Sequence, residues 1–142
     1  DLVKLKKLNL CNCAGIDDLS PLKYCSKLEE LYVSSCKNLT DDSFKVFSEE
    51  PNSFPNLRVL TLSRCDNLTE KVFEHLSKNN HLVHQLKKLN LEGSCELVSS
   101  TTARNNLCQL KGLRHLLGIL SVADAELKVE LMRSLKNLEE IQ

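Results

Sequence analysis

The sequence predicts an α/β solenoid, with a curved parallel sheet on its concave face and helices or irregular segments on its convex face. One observation is a nine-residue pattern that ends in a cysteine or serine in its first four copies, and copies follow one another at steps of 23 to 29 residues. The other is the alternation of apolar and polar residues within it, as in a half-buried strand. A repeat of this length cannot bury its apolar side alone, so stacked neighbours supply the core.

Six copies of the pattern can be aligned along the chain. Aligning residues 28–56 with residues 57–85 gives nine identities, among them Leu31 with Leu60 and Cys36 with Cys65. Neither end shows the polar capping repeat that a solenoid needs for solubility. We therefore expect one repeat domain over residues 1–142, as a piece of a longer solenoid. The copies begin at Leu5, Leu28, Leu57, Leu86, Leu113 and Leu138.

The third repeat illustrates how the pattern encodes structure. Leu60 and Leu62 alternate with Thr61, which predicts a short strand with one buried face. Cys65 follows at an inward corner, where a small and easily buried thiol is suitable. Thr69 is a candidate helix N-cap, and Phe73 lies on the predicted buried stripe of the helix. The preceding repeat has Leu31, Val33, Cys36, Thr40 and Phe44 at these positions.

The convex segments are predicted to differ from repeat to repeat. Pro21 leaves little room for a long helix in residues 13–25. Residues 94–107 are expected to be irregular, because Thr102 and Asn105 stand where earlier repeats have Phe or Leu. Residues 122–135 are expected to be helical, since leucines recur there every four residues.

The residues 36–47 and 65–76 resemble the cysteine-containing class of leucine-rich repeats, typified by the substrate-receptor halves of F-box proteins in ubiquitin ligases. The first repeat, with residues 16–22, resembles the shorter repeats of phosphatase-1 regulators and internalins. This resemblance implies a binding scaffold without a catalytic centre.

Composition excludes several function classes. The chain has 19 basic and 19 acidic residues, and this balance argues against nucleic-acid binding and a polybasic membrane patch. No apolar run approaches the length of a membrane span. The seven cysteines are an odd number without a secreted pairing rhythm. We therefore expect free thiols and an intracellular location, in the cytoplasm or the nucleus.

Candidate metal and disulfide sites are weak. Cys11 and Cys13 form a C-x-C pair, but the repeat explains Cys13, and four converging metal ligands cannot be assigned. Cys36 and Cys65 lie one repeat apart, and strands about 4.8 Å apart would allow a disulfide by distance. Their inward direction favours buried, reduced thiols instead. We expect no metal and no cofactor.

No catalytic group is expected either. The chain has only four glycines and no phosphate-binding loop, and no histidine shares a recognisable frame with a nucleophile and an acid. A small-molecule ligand is therefore not expected. The histidines are interpreted as surface residues, on the convex helix (His75), in the return loop (His81 and His84) and on a strand (His115).

Asn38 and Asn67 match the glycosylation acceptor pattern. They also share one register of the repeat, where Asn is suited to the corner. The structural interpretation is favoured, and glycans at these positions would instead indicate an extracellular recognition protein.

The outward-facing strand positions predict a protein-binding surface. They are not needed for the core, so their chemistry is free to serve a partner. Tyr32 and Arg64 are the best anchor candidates, because large planar side chains dominate interface energies. Leu117, Ile119 and Leu120 are expected to form an exposed apolar patch. The candidate binding residues are Lys7, Asn9, Glu30, Tyr32, Thr61, Arg64, Lys88, Asn90, Glu92 and His115.

The leading hypothesis is a non-enzymatic protein-protein interaction module, acting as an adaptor or substrate receptor. The alternative is a structural subunit packed permanently in a larger assembly, which the absence of capping repeats would fit. An extracellular recognition protein is a weaker third possibility.

Overall fold

In the computed structural model, residues 2–119 and 125–142 are described. They form one parallel sheet of six strands, and the strands lie side by side in chain order. The strands are β1 (Lys7–Asn9), β2 (Glu30–Tyr32), β3 (Val59–Thr61), β4 (Lys88–Asn90), β5 (His115–Leu117) and β6 (Glu140–Ile141).

An inward-facing row of aliphatic side chains sets the strand register. Leu8 pairs with Leu31, Leu31 with Leu60, and the row continues without a slip to the last strand. A slip of one residue would turn the whole row to the outer face of the sheet. The predicted α/β repeat solenoid is therefore confirmed, and the row is Leu8, Leu31, Leu60, Leu89, Leu116 and Ile141.

Short helices cover the convex side. The α-helices are α1 (Lys45–Glu49), α2 (Lys71–Ser77), α3 (Leu82–Gln85), α4 (Thr101–Leu107) and α5 (Ala125–Ser134). The 3-10 helices are Leu2–Lys4, Ser20–Tyr24, Asp41–Phe44 and Cys95–Val98.

The core lies between the sheet and the convex helices. Its leucines are stacked repeat on repeat, and all four phenylalanines are buried among them. The rings of Phe47 and Phe54 stack with their centroids 4.3 Å apart. This continuous core joins the repeats into one packed unit, as the pattern predicts.

The expectation of an irregular segment over residues 94–107 was wrong. Helix α4 begins after Ser100, whose side chain accepts a hydrogen bond from the backbone N–H of Ala103 at 3.0 Å. Ala103 faces the core, whereas Thr102 and Asn105 are exposed. Thr102 and Asn105 therefore lie on the solvent face of a helix. The alignment with earlier repeats wrongly assigns both residues to the buried face.

Two other convex segments were expected to be a return loop, with His81 and His84, and a helix over residues 122–135. His81 and His84 lie at the start of α3 and inside it, so the predicted return loop contains one helical turn. Helix α5 lies within the predicted helical residues 122–135 and buries Leu127 and Leu131. The prediction for residues 122–124 falls outside the described residues.

The turns after the first four strands share one backbone geometry. Asn12, Ser35, Arg64 and Gly93 all have positive φ values between 55° and 74°. In the fifth repeat the positive φ comes two positions earlier, at Gly118, with a value of 79°. The chain therefore turns sooner after β5 than after the other strands.

This early turn overturns the predicted apolar patch at the C-terminal end of the sheet. Ile119 is only 2% exposed, because the turn at Gly118 directs it into the core. Leu117 is half-buried on the outer face, and Leu120 lies outside the described residues.

The corner residues after the strands bond to the preceding repeat. The Cys36 thiol donates to the carbonyl oxygen of Leu10 at 3.0 Å, and the Cys65 thiol donates to that of Val33 at 3.2 Å. Ser94 takes the same position in the fourth repeat, and its hydroxyl donates to the carbonyl oxygen of Leu62 at 3.3 Å. Each corner therefore needs a small side chain that donates a hydrogen bond.

Cys36 and Cys65 are buried free thiols, as the repeat register predicts. Burial raises the pKa of both thiols above the ordinary value, because it disfavours the charged thiolate. Cys11 and Cys13 are only partly buried. Access to a thiol reagent therefore differs between the two pairs.

Iodoacetamide at pH 8 should alkylate Cys11 and Cys13 of the native protein well before Cys36 and Cys65. The attacking species is the thiolate, and both burial and a raised pKa oppose its formation at the two corners. Peptide mapping by mass spectrometry after timed labelling measures the order. The same labelling in denaturant is the control, and there all four cysteines should react at similar rates. A mass difference of two hydrogens between the reduced and the native protein, mapped to Cys36 and Cys65, would indicate a disulfide and contradict the free-thiol assignment.

Asn38 and Asn67 both contribute to stacking. The Asn67 side-chain amide donates to the carbonyl oxygen of Lys37 at 2.6 Å, and Asn38 donates in the same way to Ala14. Each asparagine thus joins its corner to the corner of the preceding repeat, which supports the structural interpretation of the two acceptor motifs.

Candidate functional site

The outer face of the sheet carries two columns of side chains, one across all six strands and one across the first five. The strand register aligns them one residue per strand, so neighbours in a column lie on adjacent strands about 4.8 Å apart. The first column is Lys7, Glu30, Val59, Lys88, His115 and Glu140. The second is Asn9, Tyr32, Thr61, Asn90 and Leu117.

At the N-terminal end of the columns, three side chains satisfy one another. The Tyr32 hydroxyl donates to Glu30 Oε2 at 2.5 Å, and Lys7 Nζ lies 2.9 Å from the same oxygen. Lys7 Nζ also lies 5.1 Å from the centroid of the Tyr32 ring. The hydrogen bond between Tyr32 and Glu30 raises the pKa of the phenol and lowers that of the carboxyl. The half-buried ring is therefore held in one orientation with its hydroxyl engaged.

At the C-terminal end, a second cluster involves His115. Its Nδ1 lies 3.1 Å from Glu140 Oε2, and its Nε2 lies 3.9 Å from Glu139 Oε2. Arg114 Nη1 lies 3.4 Å from Glu139 Oε1. The polar side chains at this end are therefore also engaged within the chain, and Glu139 is paired with Arg114.

The middle of the columns is different. Lys88 is half-buried, and within residues 2–119 and 125–142 its ammonium group makes no hydrogen bond or ion pair. Asn90, two residues further along β4, uses its side-chain oxygen to accept from the backbone N–H of Glu92 at 2.9 Å. The centre of the face therefore presents an ammonium and an amide donor that have no acceptor among the residues described.

Thr61 contributes less than the sequence predicts. It is only 7% exposed, and its hydroxyl oxygen accepts a hydrogen bond from Ser34 at 3.0 Å. The neighbouring strands, with Tyr32 on one side and Asn90 on the other, cover this smaller side chain. Thr61 therefore forms the floor of the surface and does not project from it.

Arg64 lies at the left-handed turn after β3 and is exposed. Its side chain extends towards the next repeat, since a Cβ added at Gly93 would lie 2.8 Å from Arg64 Cγ. In the described part of the chain its guanidinium has no ion-pair partner. Glu92, the acidic residue just before Gly93, is also exposed.

Sequence reasoning missed one polar pair on the convex side. Ser48 Oγ lies 2.8 Å from His75 Nδ1 and also donates to the carbonyl oxygen of Lys45 at 3.0 Å. A hydroxyl has one proton, so the histidine donates to the serine, and the serine is not poised as a nucleophile. The separation of 27 residues, close to one repeat, is the signal that could have found this contact.

The described residues contain no group of three His, Cys, Asp or Glu side chains able to hold a metal ion. None of the helices described is long and apolar enough to cross a membrane.

Comparisons with known proteins agree with this architecture. The family model for leucine-rich repeats in two copies matches residues 3–46. No curated protein matches the sequence. A solved structure titled "Leiomodin-1 Actin-Binding Site 2 (ABS2)" is similar with a TM-score of 0.67 and 14% sequence identity, over 93% of this chain and 79% of that chain. The repeat spacing, the parallel six-stranded sheet and these matches identify the fold as a leucine-rich repeat solenoid.

Proposed function

We propose that this chain is a non-enzymatic protein-protein interaction module that binds a partner protein on the concave face of its sheet. The observation that carries the proposal is the unsatisfied centre of that face, where Lys88, Asn90 and Arg64 have donors without an acceptor in the described chain. These side chains do not contribute to the core, and the polar side chains at both ends of the columns already bond within the chain. A partner would supply the missing acceptors.

The finer parts of the proposal concern class and location. The corner thiols of Cys36 and Cys65 support the cysteine-containing class of leucine-rich repeats, and with it a role as adaptor or substrate receptor. Free buried thiols, together with asparagines engaged in stacking, support a reducing intracellular compartment. We also propose that residues 1–142 act as one repeat domain.

The fold comparison supports protein binding only in general terms. The leiomodin-1 structure is titled as an actin-binding site, so a solenoid of similar shape binds a protein there. The partner of the present chain is to be identified from its own surface.

The Tyr32→Ala/Arg64→Ala double variant should weaken partner capture at least about tenfold, because the truncation of anchor residues typically costs 2 kcal/mol or more at an interface. Partners captured by the native chain are first identified by mass spectrometry, and their affinities for both proteins are then measured with purified components.

The Tyr24→Ala/Arg133→Ala double variant is the matched control. Tyr24 is 66% exposed on the convex side, and Lys23 Nζ lies 5.4 Å from its ring centroid, much as Lys7 lies near Tyr32. Arg133 is exposed on α5. This control should retain full affinity. Equal affinity of the concave variant and the native chain, or a loss only in the convex control, would contradict concave binding.

A further inference from the structure

The first column contains a lysine, Lys88, that has no counter-ion among residues 2–119 and 125–142. The register places Lys88 between Val59 on β3 and His115 on β5. Val59 has no charge to offer, and the His115 ring nitrogen nearest to a carboxylate is already paired with Glu140 at 3.1 Å. Lys88 therefore has no counter-ion in the described residues, although the other lysine of the column, Lys7, is paired with Glu30.

The backbone orients the side chain of Asn90 through its oxygen. Its Oδ1 accepts the Glu92 N–H at 2.9 Å, and Asn9 makes the same contact with the N–H of Cys11 at 2.9 Å. Because the oxygen is engaged, the amide nitrogen remains as the free end, with two N–H donors. It makes no hydrogen bond within residues 2–119 and 125–142.

Lys88 and Asn90 lie on the same face of β4, two residues apart, which corresponds to about 7 Å along a strand. Arg64 extends over Gly93, in the turn that follows β4. The apolar neighbours in register are Val59 beside Lys88 and Leu117 beside Asn90, both half-buried. The result is a donor-rich strip with an aliphatic flank on each side.

We propose that Lys88 and Asn90 bind the carboxylate of an acidic side chain in a protein partner, while Val59 and Leu117 contact apolar residues of the partner on either side of it. This inference rests on the proposed function and specifies the chemistry of the partner. A carboxylate accepts hydrogen bonds through both of its oxygens, which matches an ammonium and an amide donor.

The surrounding charges favour a single carboxylate over a polyanion. Glu140 lies two strands from Lys88 in the first column, and the exposed Glu92 lies two residues beyond Asn90, after the end of β4. A polyphosphate or nucleic-acid backbone would bring several negative charges against these carboxylates. A peptide with one Asp or Glu among apolar residues avoids that repulsion.

A displayed library of random heptapeptides, selected against the full 142-residue chain, tests the proposal. Enriched peptides should contain an acidic residue at one shared position with apolar neighbours. Fluorescence anisotropy then measures the affinity of one such peptide and of its Glu→Gln or Asp→Asn counterpart. The neutral counterpart should bind about ten to a hundred times more weakly, the range for a hydrogen bond to a charged group, and the difference should shrink with added salt.

Variants of the chain identify the site. Lys88→Gln should weaken binding of the acidic peptide about tenfold or more, whereas Lys88→Arg should retain most of it because the charge remains. Lys37→Gln is the matched control, since Lys37 is an exposed lysine that follows the corner and lies outside the two columns. Circular dichroism confirms that each variant is folded.

The outcomes separate this inference from the proposed function. Enriched peptides that lack an acidic residue, and that bind the Tyr32→Ala/Arg64→Ala variant more weakly than the native chain, would overturn the carboxylate site but still support binding on the concave face. Peptides that bind the concave variants and the native chain equally would overturn both. Failure to enrich any acidic peptide, or displacement of the acidic peptide by millimolar inorganic phosphate alone, would also overturn the carboxylate site.

Discussion

Replacement of Cys65 by aspartate is expected to lower the free energy of unfolding by about 3–5 kcal/mol, the range for an uncompensated buried charge. Cys65 is 2% exposed, and its thiol donates to the carbonyl oxygen of Val33. An ionised aspartate would bring a negative charge against that oxygen and could not donate. A domain of this size is stable by about 5–15 kcal/mol, so this loss is a large fraction of the total free energy of unfolding.

Cys65→Ser is the matched control for this prediction. Ser94 occupies the equivalent corner of the next repeat, and its hydroxyl donates to the carbonyl oxygen of Leu62. Cys65→Ser and Cys65→Asn both keep a donor at the corner, so each should lose only about 1 kcal/mol, the typical effect of a point substitution. Urea unfolding followed by circular dichroism gives all three values. Equal losses for Asp and Ser would show that the corner does not require a donor.

Replacement of Gly118 by alanine should cost about 2–5 kcal/mol. Its φ of 79° is unfavourable for an L-residue by about 1–2 kcal/mol, and an added Cβ would lie 2.2 Å from the backbone nitrogen of Glu92. Backbone atoms of a neighbouring strand cannot move aside without loss of packing, and overpacking typically costs a further 1–3 kcal/mol. Thermal unfolding measured by circular dichroism checks the value.

Gly15→Ala provides the comparison. No atom lies within 4 Å of a Cβ added at Gly15, and its φ is not in the left-handed region. The free energy of unfolding of this variant should therefore lie within about 0.5 kcal/mol of that of the native chain, as for most surface substitutions. If Gly118→Ala is as stable as Gly15→Ala, the early turn after β5 is not as tight as the structure shows.

Much of the architecture could be predicted because a repeat identifies equivalent positions. The inward row from Leu8 to Ile141 and the two outer columns follow from spacing alone, since side chains alternate along a strand. The corner positions of Cys36 and Cys65 follow in the same way. What spacing does not supply is the local backbone conformation or the partner of each polar group.

The errors show this limit. Residues 94–107 were expected to be irregular, because Thr102 and Asn105 interrupt the alignment with earlier repeats. Thr101–Leu107 nevertheless form helix α4, which Ser100 caps and which buries Ala103. Ile119 was expected to face outwards, but the positive φ of Gly118 turns it inwards. In both cases a local backbone feature, the helix cap at Ser100 or the left-handed Gly118, changed which of the following residues face the core.

The candidate site was only partly predictable for a related reason. The sequence placed Tyr32, Thr61 and Lys88 on one face, but their availability depends on neighbours in adjacent strands. Tyr32 is engaged by Glu30, and Thr61 is covered. In the described part of the chain Lys88 has no counter-ion, because its neighbours in register are Val59 and a His115 already bonded to Glu140.

The sequence by itself therefore determined the repeat, the strand register and the set of residues on the outer face, because periodicity alone specifies which side chains share a side. Only the tertiary structure decided which members of that set remain free to bind a partner. That selection depends on contacts between strands about 4.8 Å apart in space but more than 20 residues apart in sequence, where one neutral or paired neighbour decides whether a charge is satisfied.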